Sequence, residues 1–291
     1  MIKISIIVPV YEGENFIIPF FSFFKANPLP NEIELIIVDN GSTDVFYNKL
    51  VTHGETIINC NIYRYSKKQS SYAARNYGFS KAKGNVIAFT DFDCLITENY
   101  INELINFPNS EFNLVSGKIE LYHIKNNIYE VFDKYAYLKQ EEYFDNNYAA
   151  TANLVLNRNT FIKLKGFKEL TSGGDNEFCK RSIINGFCIK YNENLLVKHP
   201  LRGSYIEHIK KTKRLGIGHG QLFKKKNIKG LNKILFLLKT LIGVFFPFHQ
   251  LKIFYRIIKK EQVTVGNFFL FFRLCFNVGM IQRIQILKKS I

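Results

Sequence analysis

Three apolar, β-branched stretches at residues 4–10, 34–38 and 85–89 constrain this chain more than any other feature, because each runs straight into a turn-rich or acidic cluster. The clusters are Tyr11-Glu12-Gly13-Glu14-Asn15, Asp39-Asn40-Gly41-Ser42-Thr43-Asp44 and Thr90-Asp91-Phe92-Asp93. Continuous apolar runs of this length read as strands buried on both faces, which calls for a parallel sheet covered by helices. The intervening segments, at about 16–25 and 71–83, have helical length and helical apolar spacing, giving a β-α-β-α-β pattern. In open parallel sheets ligands bind beyond the carboxyl ends of the strands, so the three clusters should converge on one rim.

Each cluster has a chemical and a plain structural reading. Asp91 and Asp93 leave the sheet together and suit a hard divalent cation, Mg²⁺ or Mn²⁺, that keeps positions open for phosphate oxygens. Without a cation, two adjacent carboxylates would repel. By itself, D-x-D is also a common chance surface pair. Asp39, at a strand end, can accept the imide N–H of a uracil, whereas Ser42 to Asp44 would serve equally well as a helix cap. Arg75, near a helix start on the same rim, can neutralise a diphosphate or make an ordinary salt bridge.

Charge divides the chain. Residues 1–197 carry 20 Lys+Arg against 22 Asp+Glu, a net of −2, and residues 198–291 carry 20 against 2, a net of +18. A near-neutral body followed by a segment suited to a polyanionic surface is expected. From residue 231 the tail is rich in Phe, Leu and Ile, interrupted by Lys233, Lys239, Pro247 and Arg273, with no uninterrupted apolar run of spanning length. Interfacial or re-entrant helices fit this pattern, with a buried helical core as the plainer alternative. Five cysteines form no C-x-x-C pair, and the N-terminal apolar run is too short for a signal peptide, so a cytoplasmic setting is expected.

Taken in order, Ser5-Ile6-Ile7-Val8-Pro9-Val10-Tyr11, Ile36-Ile37-Val38-Asp39-Asn40-Gly41-Ser42-Thr43-Asp44, Ala74-Arg75-Asn76-Tyr77-Gly78 and Phe89-Thr90-Asp91-Phe92-Asp93 resemble the family 2 glycosyltransferases over about residues 3–220. The resemblance implies an α/β GT-A nucleotide-diphospho-sugar transferase fold, a single Rossmann-like mixed sheet covered by helices, with a basic and hydrophobic helical C-terminal extension. The expected division is a catalytic domain at 1–220 and a membrane-associating region at 221–291.

The resemblance also places donor-binding residues at Pro9, Tyr11, Glu12, Asp39, Ser42, Arg75, Asp91, Phe92 and Asp93, and metal ligands at Asp93 and Asp91, with His199 as a further contact or a structural histidine. A fifth string, Gly173-Gly174-Asp175-Asn176-Glu177, matches the family's acidic cluster at a helix start, with Gly174 where Glu is frequent. It makes Asp175 the leading catalytic base and Glu177 the second candidate, although acidic residues also favour a helix N-terminus without any chemistry. The implied reaction is inverting transfer of a sugar from a nucleotide-sugar donor, UDP-linked by the family's habit, to a glycan or lipid-linked acceptor. Assembly of capsule, O-antigen or other surface polysaccharide at the inner face of the cell membrane is the expected setting.

Residues 199–218 are similar to the basic helix and Gly-rich turn of membrane-associated members, and the Q-x-x-R-W motif of processive synthases is missing. Three other classes fit less well. A nicotinamide dehydrogenase would need G-x-G-x-x-G after the first strand. A nucleic-acid-binding protein would not interleave its basic residues with long apolar runs. A catalytically inactive relative would have no reason to keep D-x-D, Arg75 and Asp175 together.

Overall fold

The computed structural model describes residues 1–107, 113–225 and 227–290. Its first half alternates β1 (Ile4–Val10), α1 (Glu14–Ala26), β2 (Ile33–Asp39), α2 (Asp44–Gly54), β3 (Cys60–Arg64), α3 (Ser71–Lys81) and β4 (Val86–Thr90). There follow β5 (Leu95–Ile96), α4 (Glu98–Ile105), β6 (Leu114–Tyr122), α5 (Ile128–Ala136), α6 (Gln140–Phe144), β7 (Asn153–Asn157), α7 (Arg158–Lys163), α8 (Gly174–Ile184) and β8 (Ile189–Pro200). Four helices close the chain: α9 (Tyr205–Lys225), α10 (Gly230–Phe245), α11 (Phe248–Lys260) and α12 (Val265–Ser290).

The strands form one mixed sheet in the order β3-β2-β1-β4-β7-β6-β8-β5. The first four strands in that order run parallel, and β7 pairs antiparallel with both β4 and β6. As the apolar runs require, β1, β2 and β4 are buried along their whole length. The sequence pattern misses α2 and β3, so the strand leading to Asp91 is the fourth, not the third. Among the described residues β3 is an edge strand paired with β2 alone, and it is half-buried, so its residues Cys-Asn-Ile-Tyr-Arg need no continuous apolar run.

Packing against the sheet explains part of the motif on α3. Ala73 and Ala74 are buried, and a Cβ at Gly78 would lie 2.6 Å from Ile7 Cγ2, so small residues are what let α3 lie close over β1. At the opposite end of the strands Glu34, only 2% exposed, is fully engaged. Its Oε1 accepts from Ser5 Oγ at 2.6 Å and from Lys83 N at 2.6 Å, and Ser5 Oγ accepts from Gly84 N at 2.8 Å. A buried carboxylate is tolerated only when hydrogen-bonded in this way.

The chain divides into two compact units, one of residues 1–120, 140–169 and 174–199 and one of 121–139, 170–173 and 200–291. In the second unit, buried Asp133 accepts from Arg202 N at 3.1 Å and pairs with its guanidinium. Burial pushes the Asp133 carboxyl up, but the Lys211, Arg202 and His208 charges outweigh it and hold the group below its ordinary value. Among the described residues, α12 is long and apolar enough to cross a membrane, and α10 with α11, bent by 41° at their break, would count as one more span.

The expected Gly-rich turn after the basic segment is absent, because Gly216 and Gly218 lie inside the continuous helix α9. There, glycines serve helix contact. A Cβ at Gly216 would lie 2.5 Å from the Gln282 carbonyl oxygen of α12, and one at Gly220 would lie 2.6 Å from Lys289 Cβ. Gly→Ala in an ordinary helix stabilises by about 1 kcal/mol. Gly216→Ala should instead destabilise by about 1–3 kcal/mol, since two helices must move apart. The expected result is a lower midpoint in a thermal melt followed by circular dichroism; an unchanged or higher midpoint would remove the close α9–α12 contact.

Candidate active site

The loops after β1 and β2 are stitched together by reciprocal hydrogen bonds. Glu12 N donates to Ser42 Oγ at 2.8 Å, and Thr43 N donates to Glu12 Oε1 at 2.8 Å. Thr43 Oγ1 caps α2 by accepting from Phe46 N, so of the three candidate caps it is Thr43 that does this work. Pro9 is buried within β1, whereas Tyr11 stands 56% exposed at the rim. Asp39 is wholly buried, with Oδ1 accepting from Ser42 N at 3.3 Å and Oδ2 lying 3.3 Å from Arg64 Nε. That Oδ2 has no hydrogen-bond donor, an uncommon state for a buried carboxylate oxygen.

Asn40, which the sequence marks only as a turn residue, is a structural hub of this rim. Its Nδ2 donates to the Tyr65 and Lys68 carbonyls, each at 2.9 Å, and its Oδ1 accepts from Ser70 N at 2.6 Å. These bonds tie the end of β2 to the segment that enters α3. An Asn-Gly pair is a turn signal by composition, and nothing local distinguishes an Asn that also holds a distant loop.

After β4 the two carboxylates of the D-x-D take different partners. Asp91 pairs with the Arg75 guanidinium, which is 2% exposed and therefore faces this carboxylate rather than open solvent. Asp93 Oδ2 lies 3.5 Å from Nε2 of buried His199. Cys94 completes a group in which each residue offers a ligand atom within 4.8 Å of the others. Burial, and then the Asp93 and Asp91 charges, push the Cys94 thiol well up. A thiol is a soft ligand, so the residues that suit a hard cation are the carboxylate and the imidazole, a donor set compatible with Mn²⁺ or Mg²⁺. The Phe92 side chain turns away from the rim into a ring cluster, with its centroid 4.7 Å from Phe20 and 6.5 Å from Phe46. It anchors the D-x-D turn to α1 and α2.

The third group is at the start of α8. Asp175 Oδ1 accepts from Tyr72 Oη at 3.1 Å and Oδ2 from Tyr148 Oη at 2.9 Å. Burial, and then the Asp175 charge, push both phenols well up, so each remains a donor. A Cβ at Gly174 already lies 2.8 Å from the Tyr72 ring, so that ring fills the space a longer side chain at 174 would need. The departure from Glu at this position thus goes with the aromatic partner of Asp175. Tyr72 also reaches the D-x-D side, with the Arg75 guanidinium carbon 5.7 Å from its ring centroid. Neither Tyr72 nor Tyr148 carries a motif signal, and sequence reading had no ground to select them.

Within the first unit, Asp39, Asp91, Asp93 and Asp175 thus lie against different partners: Ser42 and Arg64, Arg75, His199, and the two tyrosines. The family model for glycosyl transferase family 2 matches residues 5–169, more than half of the chain and including the β1, β2 and β4 clusters. The chain belongs to glycosyl transferase family 2. This family 2 glycosyltransferase is similar to glycosyltransferase AglE of Haloferax volcanii, 28% identical over 225 residues, which cover 76% of this chain and 74% of AglE. Its fold matches that of the mannosyltransferase PcManGT of Pyrobaculum calidifontis, solved in complex with GDP-Man and Mn²⁺, with a TM-score of 0.61 and 16% identity over 99% of this chain and 86% of that one. It also matches S. aureus TarS, solved in complex with UDP-GlcNAc, with a TM-score of 0.56 and 17% identity over 74% of this chain and 66% of that one. The GT-A fold expected from the sequence is thus the fold this glycosyltransferase has.

Glu177, the second base candidate of this family 2 glycosyltransferase, is held between two cations, Lys168 Nζ at 2.6 Å and Arg181 Nη2 at 2.9 Å. Its side chain is 11% exposed. Burial raises its carboxyl, but hydrogen bonds from Arg181 and Lys168 prevail and hold it below the ordinary carboxylate range. A depressed folded value contributes stability above the unfolded pKa, and that stability is lost as pH falls through the folded value. Glu177→Gln should therefore cost about 1–3 kcal/mol at neutral pH and nothing once the wild-type carboxyl is protonated. Denaturant unfolding of both proteins across acid and neutral pH checks this; a difference that persists at acid pH removes the ion-pair explanation.

Proposed function

We propose that this glycosyltransferase transfers a sugar, with inversion, from a nucleotide-sugar donor to a hydroxyl of a glycan or lipid-linked acceptor, assisted by Mn²⁺ or Mg²⁺. The observation that supports the reading is two carboxylates in unlike surroundings, Asp93 beside an imidazole and Asp175 between two phenols, with Asp175 linked to the D-x-D through Tyr72 and Arg75. Carboxylates given separate environments are suited to separate roles.

In this reading, Asp93 and His199 would hold the cation, which would supply positive charge for a diphosphate leaving group. Asp91, fixed by Arg75, faces the ribose or the metal shell, so Arg75 supports donor binding by holding Asp91. Asp39, at the end of β2, accepts a base N–H, and a UDP-sugar is favoured by the family's habit. Glu12 and Ser42 hold the two loops in register below the nucleotide, with Pro9 and Tyr11 on the adjoining strand end. Asp175 takes the proton of the acceptor hydroxyl. The oxygen attacks the anomeric carbon as the bond to the diphosphate breaks on the opposite face, and a single displacement inverts that centre. We place the catalytic residues within 1–220 and assign 221–291 to association with the inner face of the cell membrane, in surface polysaccharide assembly.

The test is a panel of UDP-, GDP- and dTDP-sugars with Mn²⁺, Mg²⁺ or chelator, measured for binding and for transfer. One donor should turn over only with metal, Asp93→Ala should weaken metal and donor binding by at least about tenfold, and Asp175→Asn should lower transfer about 10²–10⁴-fold with binding kept. Equal transfer in chelator, or full transfer by Asp175→Asn, would sink the mechanism.

A further inference from the structure

Helices α10 and α11, both in the second unit, dispose of their apolar residues in opposite ways. In α11, Ile253, Phe254 and Ile257 join a buried cluster while Lys252, Arg256 and Lys259 are exposed, which is the ordinary arrangement for a surface helix. The stripe on α10 is just as regular: Leu231, Ile234, Leu235, Leu238, Ile242 and Phe245 stand at i, i+3, i+4, i+7, i+11 and i+14. All six are 50–70% exposed, and the buried residues of the helix are Thr240 and Gly243. Phe236 stacks on Phe223 of α9 with ring centroids 3.7 Å apart, which fixes α10 with its stripe outward. The first turns of α12 repeat the pattern, with Val265, Phe268, Phe269 and Phe272 at i, i+3, i+4 and i+7, all exposed.

A continuous exposed apolar face of this kind marks a surface that is covered in use, and charge decides by what. Residues 198–291 hold 20 Lys+Arg against 2 Asp+Glu, so a second copy would bring two strongly positive segments together. An anionic bilayer supplies an acyl layer for the stripe and headgroups for the cations. Length decides the orientation of α10 taken alone, and burial decides for its neighbours: Ile253 and Ile257 of α11 and Phe271, Leu274, Cys275 and Val278 of α12 are buried in one cluster, so only the first turns of α12 leave an apolar face open. The 16 residues of α10 extend about 24 Å, short of the roughly 30 Å hydrocarbon core. Lys233 and Lys239 lie within α10, and exposed Arg273 ends the apolar face of α12.

We propose that α10 and the first turns of α12 lie in the plane of an anionic bilayer surface, with their apolar stripes at the acyl boundary, as an anchor in one leaflet. This deepens the membrane association proposed above and rests on it, and it is independent of the donor-site assignment.

The chain contains no tryptophan, so single substitutions act as silent-background reporters of depth. Full-length Leu231→Trp, Leu238→Trp and Phe245→Trp would be mixed with vesicles of phosphatidylcholine alone or with equimolar phosphatidylglycerol, with bromines at known acyl depths. Phe236→Trp serves as the protein-facing control, and circular dichroism confirms that each variant is folded. The expected result is binding to the anionic vesicles that weakens with salt, equal shallow quenching of the three stripe reporters, and protection of the control. Replacing Leu235 and Leu238 together by Glu should lower partitioning by about tenfold or more. Deep quenching at 238 with shallow quenching at 231 and 245 would mean a span, overturning the in-plane anchor while leaving membrane association intact. Absence of binding to either vesicle removes both. Equal binding to phosphatidylcholine alone defeats the charge argument, and lipid-free self-association that shields the reporters assigns the face to a second copy.

Discussion

The ion pair of buried Arg75 with half-buried Asp91 is the interaction around which the candidate active-site rim is organised. A guanidinium almost wholly removed from water is costly unless a carboxylate accepts from it, and removing Asp91 would leave the Arg75 charge buried without that partner. The pair ties α3 to the turn after β4, two elements brought together by the close packing of Ala74 and Gly78 on β1. From Arg75 the arrangement continues through the Tyr72 ring to Asp175 at the start of α8. Two carboxylates far apart in sequence are thereby positioned by one helix. The Ala-Arg-Asn-Tyr-Gly string accordingly has packing positions on one side and an electrostatic one on the other. Asn76 completes it by holding the Phe167 backbone, donating to its carbonyl and accepting from its N–H at 2.9 Å each.

The two compact units are built on different chemistry. In the first, buried charges are closed locally, as in Glu34 with Ser5 and Lys83 N or Glu177 with Lys168 and Arg181. The second holds nearly all of the uncompensated positive charge together with the outward-facing apolar stripes. Each property alone has an ordinary explanation in a solvated helix or a packed core. Their coincidence on α10, where the polar and small residues face inward, has none in water, because such a helix gains by rolling its stripe toward the protein.

How much of this was legible in the sequence depended on whether the signal was local. Strands buried on both faces announce themselves as continuous apolar runs, so β1, β2 and β4 and the rim at their ends could be placed beforehand. The edge strand β3 could not, since half-burial asks for no such run, and the strands of the antiparallel half gave no clear pattern either. Motif positions carried Asp39, Asp91, Asp93 and Asp175 correctly to strand and helix ends, but a motif does not report side-chain direction. Phe92, between two aspartates of the rim, turns into a ring cluster, while Tyr72 and Tyr148, outside the recognised strings, hold Asp175 from segments far apart in the chain. Glycines misled in the same way. Resemblance to membrane-associated members places Gly216 and Gly218 in a turn, yet inside a packed helix a missing Cβ answers a steric need instead.

The start of α8 shows why such contacts matter for chemistry. Asp175 and Glu177 lie two residues apart on the same helix turn, and the helix dipole favours a negative charge at either. Their partners separate them. Glu177 is held by two cations, which stabilise its charge and hold its carboxyl below the ordinary range, so it is a weaker proton acceptor. Asp175 is held by two neutral phenols that orient the carboxylate while supplying no countercharge. The first arrangement consumes basicity for stability, and the second keeps it available. Because the Tyr72 ring fills the space beside Gly174, this glycine is a condition of the second arrangement, and the position where the chain departs from its family's pattern is the one that lets an aromatic ring stand beside the proposed base.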